Sequence, residues 1–384
     1  MNGKNVVILG GGFGGLAAAN ELRRRLPKNH RIIVVDKRRT FSMDLSNLWV
    51  MTGERRDPAE GERKLDALTT KGIEYLNEEA LSIEPVQRQV KTSSKVLQAD
   101  YLIVALGADL APQEIRGFSE AAHNLYDAHG ALRLQTALEH FQKGVVTVLI
   151  SRTPFKCPAA PYEAAFLIDA LLRRRGVRSQ TEVNVYTPEP RPMPVAGPKI
   201  GEALQEMLKE RNIGFFPEHA VLKVDNESKR LLFEIDEARF DLLVGVPPHV
   251  APRVVREAGL SDSTGWIPVD ERTLQTRRHG VFAIGDITAI RLLNGMFLPK
   301  AGVFAEAEAR VVAEAIATEI LGGKSYAAFN GEGFCYIEVG DGKAAYGVGD
   351  FFASPAPQVR MEPPSERYRK EKEDFESSLL AAWL

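Results

Sequence analysis

"KNVVILGGGFGGLAAANELRRRL", residues 4–26, decides the fold. The apolar run Val6 to Leu9 reads as a buried strand, Gly10, Gly11 and Gly12 as a tight turn, and Phe13, Gly14 and Gly15 as the start of a helix. Gly10, Gly12 and Gly15 fit G-x-G-x-x-G. The first glycine allows the turn, the second lets the backbone approach a pyrophosphate, and the third lets the helix lie close on its strand. The helix start adds free N–H groups and a partial positive charge. "RIIVVDKRR", residues 31–39, follows as a second apolar strand and ends in Asp36, 21 positions beyond Gly15, where a carboxylate suits adenosine ribose hydroxyls. The motif alone also fits a ligand-free turn. Its strand, helix and acidic residue at this spacing favour a dinucleotide site.

FAD and NAD share that fingerprint, so the choice needs a second signal. "DYLIVALGADLAP" (100–112) is an apolar strand running to Ala105 and Gly107; "RTLQTRRHGVFAIGDITAI" (272–290) is another, ending in Gly285 and Asp286. A carboxylate just past a buried strand accepts a hydrogen bond from a polyol, and FAD has a ribityl chain where NAD has none. The alternative for Asp286 is an ordinary turn or cap residue. Pro299 and Gly322-Gly323 then bracket a helix of about six turns with Lys300 at its amino end. An ammonium there suits the flavin edge where negative charge develops on reduction, unless it is a solvated first-turn lysine. The candidate FAD-binding residues are Gly10, Gly12, Phe13, Gly14, Gly15, Asp36, Lys37, Ala80, Ala105, Gly107, Gly285, Asp286 and Lys300.

Between the two halves of this unit lies "VVTVLISRTPFKCPAAPYEAAFLIDALLRRRG", residues 145–176, again a strand, a turn and a helix. The expected fold is α/β with two Rossmann-like units: residues 1–112 and 246–323 form the FAD-binding domain, 113–245 a second dinucleotide-like domain, and 324–384 a carboxyl-terminal hairpin and tail. The second turn has lost its glycines. Pro154, Pro158 and Pro161 remove backbone donors and exclude positive φ, so a nicotinamide dinucleotide is not expected there. Cys157 takes that place, with Lys156 beside it and a helix start near Pro158 or Pro161, both of which favour a thiolate. Glu163, six residues on, is a candidate general base if it turns inward. Cys335 sits in "GFCYIEVGDGKAAYGVGDF" (333–351), a hairpin turning at 340–342. Either cysteine taken alone also fits an ordinary buried residue.

Composition narrows the rest. Of 384 residues, 49 are Lys or Arg and 51 Asp or Glu, a formal charge of -2, and no basic tract is interleaved with aromatics; nucleic acid is not an expected partner. No apolar run reaches the ~18 residues of a spanning helix. With two cysteines, 178 positions apart, neither a disulfide framework nor a metal site of C-x-x-C pairs is expected. Residues 1–9 run straight into a strand, so no secretory leader is expected, and the chain is placed in the cytoplasm or on a membrane surface.

The "ALG" of 105–107 and the "IGD" of 284–286 resemble the two-dinucleotide-domain flavoproteins, the pyridine nucleotide-disulfide oxidoreductase superfamily. "TPFKCPAAPYE" and "FCYIEVGDGKAAYG", with "SNLWVMTGER" (46–55) and "PKAG" (299–302), are similar to the sulfide:quinone oxidoreductases and the flavoprotein of flavocytochrome c sulfide dehydrogenases, over nearly the whole chain. The resemblance implies that Cys157 and Cys335 face the flavin and carry sulfur chemistry. Hydrosulfide attacks a bridge between them, electrons pass through FAD to a quinone, and polysulfide or zero-valent sulfur leaves. Sulfide or persulfide and a quinone are the implied partners.

The chain departs from that pattern in three places. Leu125 stands four positions before His129 where many relatives have a third cysteine. No cysteine occurs between Phe41 and Asn47, so FAD is expected to be noncovalent. The tail is short: "SPAPQVRMEPPSERYRKEKED" (354–374) reads as a polar connector before "FESSLLAAWL", whose Phe375, Leu379, Leu380, Trp383 and Leu384 share a helical face. That face suits a membrane surface, a homodimer contact or the body of the chain. A sulfide:cytochrome c flavoprotein, a type II NADH:quinone reductase and a flavin-binding protein without catalysis are the competing readings.

Overall fold

The structure, a computed structural model, describes residues 3–384. Its first sheet is five-stranded and parallel, in the order Val281–Ala283, Tyr101–Val104, Asn5–Leu9, Arg31–Val35, Glu74–Leu76. Strands buried on both faces read as continuous apolar runs, because successive side chains point to opposite sides. Val6 and Ile8 accordingly pack with Leu16 and Ile316 of the helices Phe13–Arg25 and Gly302–Ile320. Val7 and Leu9 face a second core with Leu102 and Ile267. The late helix has 19 residues, about five turns rather than six.

A second parallel sheet follows the same logic, in the order Ala122–Asn124, Leu242–Val246, Gly144–Ile150, Thr181–Tyr186, Ile213–Phe216. Its helix Ala160–Arg174 begins three residues beyond Cys157 and is buried along nearly its whole length. Two Rossmann-like sheets in one α/β chain agree with the reading from sequence.

The hairpin is present, Glu332–Gly340 pairing with Lys343–Asp350 through the two-residue turn Asp341-Gly342, both at positive φ. The tail corrects the reading from sequence. Residues 354–374 are no connector: Gln358–Ser365 adds a third strand to the hairpin, and Ser365 caps a helix, Glu366–Trp383, by accepting from the Tyr368 N–H at 3.3 Å. That helix lies on the body. Trp383 meets Phe13 edge-on with centroids 5.4 Å apart, Phe375 stacks on the same ring at 6.4 Å, and Lys372, Glu376, Leu380 and Trp383 are buried. Packing on the body, one of the three uses open to the apolar face, is observed. Among the described residues, no helix is long and apolar enough to cross a membrane.

Candidate active site

The glycine turn has the shape its motif requires. Gly10 sits at φ +104, and a Cβ there would come within 2.3 Å of the Ala105 carbonyl oxygen; a Cβ on Gly15 would lie 1.8 Å from the carbonyl oxygen of Gly10. Backbone therefore fills both positions. Around Gly12 the opposite holds: apart from its own chain neighbours, no protein atom lies within 4 Å of where its Cβ would be. The helix start beside it has no acidic residue in its first turn and no side-chain cap, which leaves N–H groups and an open approach for a pyrophosphate. Gly14 abuts Ile284, and Gly107 has a positive φ with open space where a Cβ would stand.

Asp36 is more occupied than expected. Its carboxylate accepts from the Gly11 N–H at 2.6 Å and the Arg38 N–H at 2.8 Å, and the Arg38 guanidinium grips both oxygens at 3.1 and 2.9 Å. Burial opposes ionisation, but the Arg38 bonds hold the group below the usual carboxylate range. Asp36 thus orders the glycine turn through Gly11, and Arg38 belongs to the site. Phe13 is likewise engaged, its ring lying between Phe41, Phe375 and Trp383. Lys37 is exposed, 3.6 Å from Glu79, and Ala80 opens the strand Ala80–Glu84.

At the other end of the groove Lys300 is buried, not solvated. Its ammonium donates to the carbonyls of Asp286 and Thr288 and lies 3.6 Å from the centre of the Trp266 ring; burial lowers it to about 8. The Gly285 N–H donates to Glu308 at 2.6 Å, and burial raises that carboxyl to about 8. The Asp286 carboxylate makes no hydrogen bond with any described residue, and burial raises it as well. An open glycine cradle, an unpartnered carboxylate and a buried ammonium fit a dinucleotide carrying a polyol and a ring that becomes anionic.

Cys157 sits in the left-handed region at φ +49. Its N–H donates to the Lys300 carbonyl at 2.7 Å, and its own carbonyl accepts from Ala160 N–H at 3.0 Å and Tyr126 hydroxyl at 3.2 Å. Cys335 lies on the strand Glu332–Gly340 opposite Gly347. Both thiols are free, and both line one cavity of about 430 Å³ whose other walls include Phe155, Met193, Trp266, Phe297 and Phe334.

The expected thiolate is not what the surroundings favour. Burial, then the neighbouring Glu163, pushes Cys157 up to about 12; burial, Glu163 and Cys157 raise Cys335 well above its ordinary value. Lys156 gives no counter-charge to the thiol, because its ammonium pairs with Asp44 and lies over Tyr126.

Glu163 does turn inward, into a network that the sequence did not reveal. Its Oε1 accepts from the Lys372 ammonium and from the Glu338 N–H at 2.8 Å. Glu338 in turn pairs with Lys372 at 2.9 Å and Arg369 at 2.8 Å and accepts from Trp49 Nε1 at 2.8 Å. Burial raises Glu163, and Lys372 opposes that rise. Lys372, Glu376, Leu380 and Trp383 recur at helical spacing, a signal that would have shown the buried face of the tail but was not read from the sequence. His129 is exposed in the first turn of Ala128–His140, and Leu125 is buried. His249 is a further group missed: buried edge-on to Tyr126, it bonds the Pro247 carbonyl through Nδ1 at 2.9 Å and leaves Nε2 without a partner among the described residues. Burial lowers it to about 3 and keeps it neutral.

Residues 4–309 match the family described as Pyridine nucleotide-disulphide oxidoreductase. The chain is 28% identical over 302 residues to the mitochondrial sulfide:quinone oxidoreductase of Mus musculus, an alignment covering 75% of this chain and 66% of that protein, just under two thirds of its length. It is 27% identical over 381 residues to the sulfide-quinone reductase of Aquifex aeolicus, covering 95% of this chain and 85% of that one. The X-ray structure of the sulfide:quinone oxidoreductase from Aquifex aeolicus superposes with a TM-score of 0.89 at 26% identity, over 98% of this chain and 90% of that chain. The resemblance drawn from the cysteine motifs is borne out.

Proposed function

The chain belongs to the pyridine nucleotide-disulphide oxidoreductase family, and from that premise we propose that it is an FAD-dependent oxidoreductase that oxidises sulfide to polysulfide or zero-valent sulfur, with a quinone as acceptor. FAD is held without a covalent bond: the turn Gly10 to Gly15 and its helix start bind the pyrophosphate, and Asp286 accepts from the ribityl chain. Lys300 places positive charge at the ring. Bound there, FAD supplies a two-electron acceptor between the sulfur chemistry and the quinone.

The sulfur chemistry rests on Cys157 and Cys335. In their oxidised, bridged form, hydrosulfide attacks one sulfur; the bridge S–S bond breaks, a new S–S bond forms to the incoming sulfur, and the other cysteine leaves as a thiolate. Re-forming the bridge with the added sulfur gives up two electrons, which bound FAD would accept, and the single proton brought by hydrosulfide goes to Glu163. The observation that carries this reading is that two cysteines 178 positions apart open onto one cavity with a buried carboxylate acting on both. The turn at Pro154, Cys157 and Pro158 stands where a nicotinamide unit needs glycines, which supports sulfide over NADH as donor.

Anaerobic mixing of the FAD-loaded protein tests it. Sulfide bleaches the flavin, NADH does not, and a soluble quinone restores the colour. Cys157→Ser and Cys335→Ser each keep FAD and lose bleaching by sulfide. Bleaching by NADH alone points instead to an NADH:quinone reductase, and full sulfide activity in either serine variant ends the mechanism.

A further inference from the structure

Two carboxylates and two cations from three separate elements form one connected network, which Arg369 extends to Glu54 and Glu373. Glu163 comes from the helix Ala160–Arg174, Glu338 from the strand Glu332–Gly340, and Lys372 and Arg369 from the carboxyl-terminal helix. Lys372 bridges Oε1 of Glu163 and Oε1 of Glu338; Arg369 takes the other oxygen of Glu338. Glu163, Glu338 and Lys372 are only 2%, 1% and 3% exposed, so solvent does not screen them. Buried ion sets rarely stabilise a fold more than apolar packing of the same volume, so this one invites a functional reading. Both bonds to Glu163 fall on Oε1, and its Oε2 has no hydrogen-bond partner among the described residues.

We propose that Lys372 is a positioning residue for the sulfur chemistry: it fixes Glu163 through Oε1, balanced against Glu338, and leaves Oε2 free to take a proton from Cys157 or Cys335. The proposal rests on the reading of the two cysteines as the reactive pair. In the step, the S–H bond breaks, its electron pair stays on sulfur, and an O–H bond forms at Glu163; no electrons leave the site. Net charge is conserved, because Glu338, Lys372 and Arg369 are unchanged. The other groups acting on Cys157 are Lys372, the Ala160 N–H, Asp44 and Tyr126, and those acting on Cys335 are Cys157 and Lys372. Lys156 is committed to Asp44.

The test is the pH dependence of iodoacetamide alkylation at each cysteine in the reduced, FAD-loaded protein, read by peptide mass spectrometry. Lys372→Met removes the cation that holds Glu163 and lowers both thiols, so the profile moves to higher pH, by about one unit or tenfold in rate at fixed pH. Glu338→Gln gives Lys372 wholly to Glu163 and moves the profile the other way. Lys372→Arg restores the original profile. Coincident profiles, or shifts of both variants in the same direction as simple loosening would give, overturn the proposal. If Lys372→Met fails to fold, Glu338→Gln and Lys372→Arg decide it alone. Sulfide bleaching of the same samples keeps the two ideas apart: opposed alkylation shifts with no sulfide reduction in the unsubstituted protein refute the sulfide reading and leave the role of Lys372 standing.

Discussion

The backbone N–H of Cys157 donates to the carbonyl of Lys300 at 2.7 Å. A thiol-bearing loop of the second sheet is thereby tied to the residue that leads into the helix Gly302–Ile320 of the first. The bond uses the backbone of Lys300 and leaves its ammonium to the carbonyls of Asp286 and Thr288. Lys300→Met therefore keeps the loop in place and removes one positive charge. The expected outcome is a protein that retains FAD but has a flavin potential lower by tens of millivolts, since about 30 mV corresponds to ~1.4 kcal/mol for two electrons. Potentiometric titration checks it; an unchanged potential removes Lys300 from the flavin site.

Two glycines of one motif are expected to fail differently. A Cβ on Gly15 would press within 1.8 Å of the Gly10 carbonyl oxygen, so Gly15→Ala disrupts helix packing and lowers the thermal midpoint. Gly12→Ala meets no protein atom within 4 Å beyond its chain neighbours, so it folds normally but loses FAD affinity by tenfold or more, about 1.4 kcal/mol. Flavin retention on gel filtration and thermal unfolding separate the two.

Glu189 gives a pH prediction. Burial raises its carboxyl to about 7 despite bonds from the Tyr162 hydroxyl at 2.6 Å and the Thr187 hydroxyl at 3.2 Å. The folded chain keeps this proton up to about 7, while the unfolded chain releases it near 4.5, so stability is lost as pH rises between the two, by about 3 kcal/mol. Glu189→Gln should match the parent protein near pH 4.5 and be more stable at about pH 8. Thermal unfolding at both values measures it, and an equal difference at each contradicts it.

Trp383 tests the tail. At 5% exposure and edge-on to Phe13, its removal in Trp383→Ala should cost about 3–5 kcal/mol. Binding to anionic vesicles should not change, because this face is already covered. Denaturant unfolding and vesicle sedimentation are the measurements.

What was legible in the sequence is what is set locally. The turn Gly10 to Gly15, its flanking strands and the hairpin through Asp341-Gly342 follow from periodicity and glycine placement. The tail did not, because Pro363 and Pro364 look like strand breakers. They are tolerated because Gln358–Ser365 is an edge strand, and a register shift between its Glu362 and Ser365 partners absorbs them. Ion pairs were invisible too. Lys156 was read as support for a thiolate, yet Asp44, 112 positions away, claims it; Asp36 was read as suiting ribose hydroxyls, yet Arg38, two positions on, holds it. Neither pairing follows from hydrophobic periodicity.

The central claim is that Cys157 and Cys335 react as a pair. The most direct measurement is peptide mapping, without reductant, of protein treated with sulfide and then quinone. The account predicts a covalently linked pair of peptides carrying Cys157 and Cys335, joined directly or through added sulfur, which reductant separates. Two cysteines that are recovered only as independent, unlinked peptides after turnover would contradict it.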